Sequence, residues 1–392
     1  MPLNELTHWL KDRDPTRFPY DAVTTAYLRT GKHFVGEDLL RGLIQARQAL
    51  AEAPDPNGGS ELLRRFLRSA LDKCDGTYEY ASYIGLPLLP IPSVDDPPEQ
   101  LPHALRRRDR LLVQLIADLL EFELAAADGR ADQLPKMRPD PRTSAKRYRL
   151  AMHAAAPALR RLGMSSQVSD TDPERCARQM CTAVEPEQSV LDRRILQLFE
   201  ATFALIAVQL RGAVHAMAGQ DGATAAGCVD VAQATLRESA PLFSLLATMQ
   251  VEAFRMFRDL TEGSSAIQSR NYKIMESLCC RPETARLESA AYRSVPEVQR
   301  QVLAGHATLD DMFTSACTGG WLDPAGRIEL TAAMEAFAET VLRWRTTHYR
   351  IALRMIGKRS GTGYTEGTTY LKEVQNIPVF RSIDQVERGA YR

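Results

Sequence analysis

Charge of one sign is what this 392-residue chain lacks: 49 Lys and Arg stand against 49 Asp and Glu, for a formal net charge of zero. Without a basic excess there is no field to hold a polyanion, and nucleic acid is not an expected partner. CxxC pairs are missing too. The seven cysteines, at 74, 176, 181, 228, 279, 280 and 317, form an odd set, which argues against a disulfide framework or a structural zinc site and predicts reduced thiols in a cytoplasmic protein. No stretch approaches eighteen uninterrupted apolar residues, and the opening MPLNELTHWLKDRDP has no positive segment followed by an apolar core. Neither a membrane span nor secretion is expected. Strand-like alternation is nearly absent, and no repeat of fixed period stands out.

What is present is an ordinary globular composition, 44% hydrophobic and 25% charged, on a chain long enough to bury a large core. Apolar residues recur every three or four positions through 34–54, 58–73, 103–128, 145–163, 188–218, 239–260, 266–278 and 329–357, which predicts an all-α fold. Proline-rich or polar stretches at Leu86–Pro102, Leu134–Arg142 and Ser165–Glu174 interrupt the helices. They suggest an N-terminal helical region over 1–164 and a second unit over 165–392. The basic cluster Arg106-Arg107-Arg108-Asp109-Arg110 reads as a solvated helix face without a function.

One helix carries a histidine among apolar neighbours. From Met334 the pattern runs Met334, Phe337, Val341, Trp344, His348, Ile351 and Met355, steps of three and four that put all seven on one face. The His348 imidazole therefore needs a partner in an apolar setting, either a neighbouring hydrogen-bonding group or a metal. Gly357 ends the helix, Lys358 and Arg359 suit the negative end of its dipole, and Gly361-Thr362-Gly363 follows, a loop able to bring backbone close to a ligand.

A second helix starts at Ser239 and Pro241, with Leu242, Leu246, Met249, Ala253, Phe257 and Leu260 as its apolar stripe. Arg258 lies at the stripe's edge, beside Phe254 and Ala247. A guanidinium partly withdrawn from water calls for an anion and matches a carboxylate in two-point contact, although a surface arginine fits the same pattern. Ser265 and Gln268 have the spacing of a capping box that opens the next helix.

Two segments together resemble the tryptophan 2,3-dioxygenase superfamily of histidine-ligated haem oxygenases. The first is Trp344-Arg345 through His348, Arg354-Met355-Ile356-Gly357, Gly361-Thr362-Gly363, Gly367 and Tyr370-Leu371; the second is Phe243-Ser244-Leu245-Leu246, Thr248-Met249, Phe254, Phe257-Arg258, Ser265 and Gln268-Ser269. The resemblance covers roughly 185–392 and implies a helical bundle enclosing a b-type haem. Carried over position by position, it implies His348 as the iron's axial ligand, Arg258 on the substrate carboxylate and Thr362 on its ammonium group. Phe254 and Phe257 would line the aromatic pocket, with Ser265, Ala266, Gly361 and Gly363 beside the haem. The helix comparable to the family's distal-histidine segment opens Leu198-Phe199-Glu200-Ala201, which puts Phe199 at the distal position; the nearest histidine, His215, falls late on that helix.

The activity so implied is insertion of molecular oxygen into the ring of an aromatic amino acid, L-tryptophan or a derivative, by a homo-oligomer of two or four subunits. Tyr364, where the family usually has glycine, and the similarity of Ser264–Glu276 to a tyrosine-hydroxylating branch support an alternative, a haem-dependent monooxygenase of tyrosine or a modified tryptophan. A haem-binding sensor or scaffold without catalysis is the third reading.

Overall fold

The computed structural model describes residues 2–52, 60–97, 99–129, 139–163, 171–181, 190–258, 265–357 and 367–383, and of residues 2, 3, 253 and 256–258 the backbone alone. It is all-α: among the described residues there are helices and short 3-10 turns but no strands. In chain order the helices are α1 (Pro2–Asp12), α2 (Tyr20–Thr30), α3 (Glu37–Glu52), α4 (Glu61–Leu71), α5 (Tyr80–Ile84), α6 (Ala104–Ala127) and α7 (Pro141–Leu162). Then come α8 (Asp172–Met180), α9 (Val190–Ala218), α10 (Gly222–Glu238), α11 (Ala240–Leu246), α12 (Val251–Arg258) and α13 (Arg270–Cys279). The last are α14 (Thr284–Leu287), α15 (Ala290–Arg293), α16 (Pro296–Ala304), α17 (Leu309–Gly319), α18 (Pro324–Ile356) and α19 (Thr368–Val374).

α9 is the axis of the bundle. Its first two thirds are buried on every side, from Val190 to Val208 with only Leu196 half-buried, because α6, α10, α13 and α17 all pack against it. By length and apolar content this helix could cross a membrane, but here it is mostly covered by protein, as a core helix is. α10, which the periodicity leaves unassigned, lies between α9 and α18. Its inner face is Ala225, Ala226, Val229 and Ala232, small residues that let three helices approach closely; a side chain at Gly212 of α9 would meet Cys228 of α10 at 3.4 Å.

The boundary expected near 165 falls within 164–170, outside the described residues. On either side of it α6 packs on α9 and α7 on α11, and a single apolar cluster reaches from Leu6 to Ile383.

Two expectations are corrected by the packing. The basic cluster is not simply a solvated face: Arg108 and Asp109 are each 1% exposed. They pair at 3.0 Å, Arg161 of α7 reaches Asp109 at 2.6 Å and Glu238 of α10 at 2.8 Å, and Arg108 donates to the Thr202 hydroxyl of α9. A buried charge needs such partners, and here they tie four helices together. The helix expected over 239–260 is broken between α11 and α12. Thr248 bonds back to the Leu245 carbonyl at 2.6 Å, and Arg147 of α7 takes both the Thr248 hydroxyl, at 2.9 Å, and its carbonyl, at 3.3 Å. Backbone groups satisfied from outside no longer need to continue the helix.

Candidate active site

α18 fixes the position of His348. It starts at Asp323, whose carboxylate accepts from the Gly326 N–H at 2.7 Å, and runs 33 residues to Gly357, where φ is 64°, a left-handed conformation that suits glycine. Met334, Phe337, Val341 and Met355 of the predicted stripe are buried. Trp344, His348 and Ile351 on the same face are half-buried, and the first two line a cavity.

The cavity gathers side chains from seven helices and the turn before α13, among them Tyr80 of α5, Phe199, Glu200 and Phe203 of α9, Phe243 of α11, Tyr272 and Lys273 of α13, and Tyr370 of α19. Around the histidine it is aromatic. The imidazole lies 5.1 Å from the Trp344 ring and stacks on Phe243 at 6.2 Å with 21° between planes. Phe199 and Phe203 meet Trp344 edge-on at 5.7 and 5.1 Å. Among the described residues none hydrogen-bonds the imidazole, and its burial alone lowers its pKa to about 4. His348 is therefore neutral at physiological pH, the form that ligates a metal.

Away from the histidine the lining is charged. Glu200, 1% exposed, accepts from the Tyr80 hydroxyl at 3.1 Å and from Asn271 at 2.9 Å; burial pushes its carboxyl above the usual range, with bonds from Ser269, Asn271 and Tyr80 pulling it down. Lys273, 2% exposed, donates to the Ile267 carbonyl at 2.7 Å. Burial and the nearby Arg286 cation bring its amine down to about 7. Glu276 joins Arg286 at 3.0 Å and Arg345 at 3.4 Å. Its burial pushes the carboxyl up, but these cations and Lys273 outweigh that and hold it below the usual range. Arg345 also donates to the Tyr272 hydroxyl at 2.8 Å, and Arg286 to that of Tyr370.

Of the residues singled out in the sequence, the structure brings His348, Phe199 and Ala266 to this cavity. Ser265 and Gln268 do form a capping box, but it closes a single 3-10 turn, and Ser269 caps α13 instead, through the Tyr272 N–H at 3.1 Å. Ser265 is half-buried and is not among the cavity's lining. Phe254 packs half-buried against the core and does not line the cavity either. Phe257 and Arg258 lie on the last turn of α12 with side chains outside the description; Gly361, Thr362, Gly363 and Tyr364 lie outside the described residues altogether. His215 is exposed and removed from the cavity.

The donor chemistry fits a haem iron: a neutral imidazole without a hydrogen-bonding competitor among the described residues, set among flat apolar rings. The space does not yet fit the macrocycle. The free volume is about 90 Å³, room for a few waters, so a porphyrin would have to displace rings such as Phe243 that pack on the histidine.

Sequence reasoning missed Tyr80, Lys273, Arg286 and the role of Glu200. For Glu200 a signal existed. It is the one carboxylate in the run Ile195–Val208, where apolar residues face all directions, so it has nowhere to go but inward.

No family model matches the chain. Proteins named tryptophan 2,3-dioxygenase are similar to it at low identity. One from Bradyrhizobium diazoefficiens is 24% identical over 217 residues, 45% of this chain and 78% of its own length. One from Anaeromyxobacter dehalogenans is 23% identical over 223 residues, 50% of this chain and 84% of its own. A third, from Bradyrhizobium sp. ORS 278, is 25% identical over 182 residues, 38% of this chain and 64% of its own. The helical chain that holds the His348 cavity is thus a distant relative of tryptophan 2,3-dioxygenases, matched over half its length or less.

Proposed function

We propose that this protein is a haem-dependent oxygenase of an aromatic amino acid, L-tryptophan or a tryptophan derivative. The observation that carries the proposal is the neutral His348 imidazole, without a hydrogen bond among the described residues and set in a cavity lined by Phe199, Phe203, Phe243 and Trp344. The distant dioxygenase relatives support it.

In this reading His348 holds the iron of haem b, with Ser265, Ala266, Gly361 and Gly363 beside the macrocycle. The haem supplies the electron transfer and oxygen chemistry that side chains cannot. The chain's own residues do the positioning. Arg258 holds the substrate carboxylate in two-point contact and Thr362 takes the ammonium group, which fixes both ends of the amino acid and leaves its ring one orientation. Phe199 and Phe257 provide apolar surface for that ring and keep water away from it, while Phe254 packs against the core. Phe199 offers no proton acceptor, so no base acts from that position.

A second reading, monooxygenation of tyrosine or a modified tryptophan, is favoured by the polar groups that also line the cavity, Glu200, Tyr80 and Lys273, which suit a hydroxylated ring. Mass spectrometry of products formed under labelled oxygen separates the two: two labelled atoms for the dioxygenase, one for the hydroxylase. No turnover of any tryptophan or tyrosine derivative by the reduced, haem-loaded protein would leave a binding protein without catalysis.

A further inference from the structure

We infer that Glu200, held by Tyr80, recognises a hydrogen-bond donor on the substrate's ring, a phenol O–H or an indole N–H. The inference rests on the oxygenase reading above and adds the feature of the ring that this cavity selects.

A ring buried with its donor unpaired loses the hydrogen bond that water gave it, so this cavity, once rings such as Phe243 move aside to admit tryptophan or tyrosine, must offer an acceptor. Phe199, Phe203, Phe243 and Trp344 offer none. Arg286 and Arg345 also line the cavity, but their side chains only donate, and the Lys273 amine is already turned to the Ile267 carbonyl. Tyr272 and Tyr370 already accept from Arg345 and Arg286. The Ser269 hydroxyl accepts from the Tyr272 N–H and bonds to Glu200.

Glu200 differs from all of these. A carboxylate has about four acceptor positions, and among the described residues the donors it meets are three: Tyr80, Asn271 and Ser269. One position is left over, on a group that lines the cavity from the same face of α9 as Leu196, Phe199 and Phe203. Tyr80 and Asn271, each bonded to a different carboxylate oxygen, hold the group in place, so little ordering is needed when a ligand binds. Tyr80 comes from α5, which makes the N-terminal region part of the site.

The test is calorimetry of the haem-loaded protein with L-tryptophan, L-tyrosine and L-phenylalanine. Wild type is expected to bind tryptophan or tyrosine at least about tenfold more tightly than phenylalanine. Glu200→Leu is expected to reduce that preference to within about threefold by weakening only the donor-bearing ligand. Should Glu200→Leu fail to fold, Glu200→Gln carries the test, since a neutral amide is the weaker acceptor and should cut the preference at least about threefold. Tyr80→Phe, which frees the carboxylate to turn, should lower it in the same direction. If the Glu200 variants weaken all three ligands alike, or leave the preference intact, Glu200 merely braces α5 and α13 and the inference is overturned while the oxygenase reading stands. If wild type binds none of the three, both fall.

Discussion

The Trp344 indole and the His348 imidazole, one helical turn apart on α18, stand with ring centroids 5.1 Å apart at 48°. With Phe243 stacked at 6.2 Å, they hold the histidine by carbon surface, and no described hydrogen bond shares the work. An imidazole so placed is oriented yet chemically uncommitted.

The first concerns pH. The folded pKa of His348, about 4, lies below its usual 6.5, so between these values the unfolded chain takes up a proton that the folded one refuses. Stability is therefore complete above about pH 6.5 and falls as the pH drops towards 4, by at most about 3 kcal/mol. Denaturant unfolding of the haem-free protein should show this slope, and His348→Leu should lack that part of it. A pH-independent difference between the two proteins would count against a buried neutral imidazole.

A second prediction concerns the Lys32–Asp72 pair, 2.8 Å apart with both side chains 1% exposed. Lys32→Met leaves the Asp72 carboxylate in the core without its cation, with only the Lys73 N–H and Ser82 bonded to it among the described residues, and is expected to destabilise the protein by about 3–5 kcal/mol in urea unfolding. Adding Asp72→Leu should recover most of that loss. If Lys32→Met alone proves neutral, the pair is not buried in solution.

Much of the α18 site was legible in the sequence, because a 33-residue helix repeats its period often enough to show which face is apolar. The charged lining was not. Tyr80, Lys273, Arg286 and Arg345 come from four different helices, and each taken alone looks like a surface residue. Only packing against α9 and one another reveals that they are buried. Arg108 was misread although its signal was present: it stands three, four and seven residues before Leu111, Leu112 and Leu115, within the buried stripe of α6. The break after α11 left no trace in the pattern, since it depends on Arg147, 101 residues away.

A third prediction separates substrate from cofactor. Arg258→Ala is expected to keep the haem absorption of wild type and to weaken its response to the amino acid at least about tenfold, as loss of a charge-assisted contact does. Spectral titration measures both at once. An unchanged response would take Arg258 out of the substrate site.

The account stands or falls on His348 and iron. Protein produced with ample haem precursor should carry a Soret band that is lost or moved in His348→Ala, while the far-ultraviolet helical signal stays as it was. A colourless wild type, or a band identical in the two proteins, would contradict it.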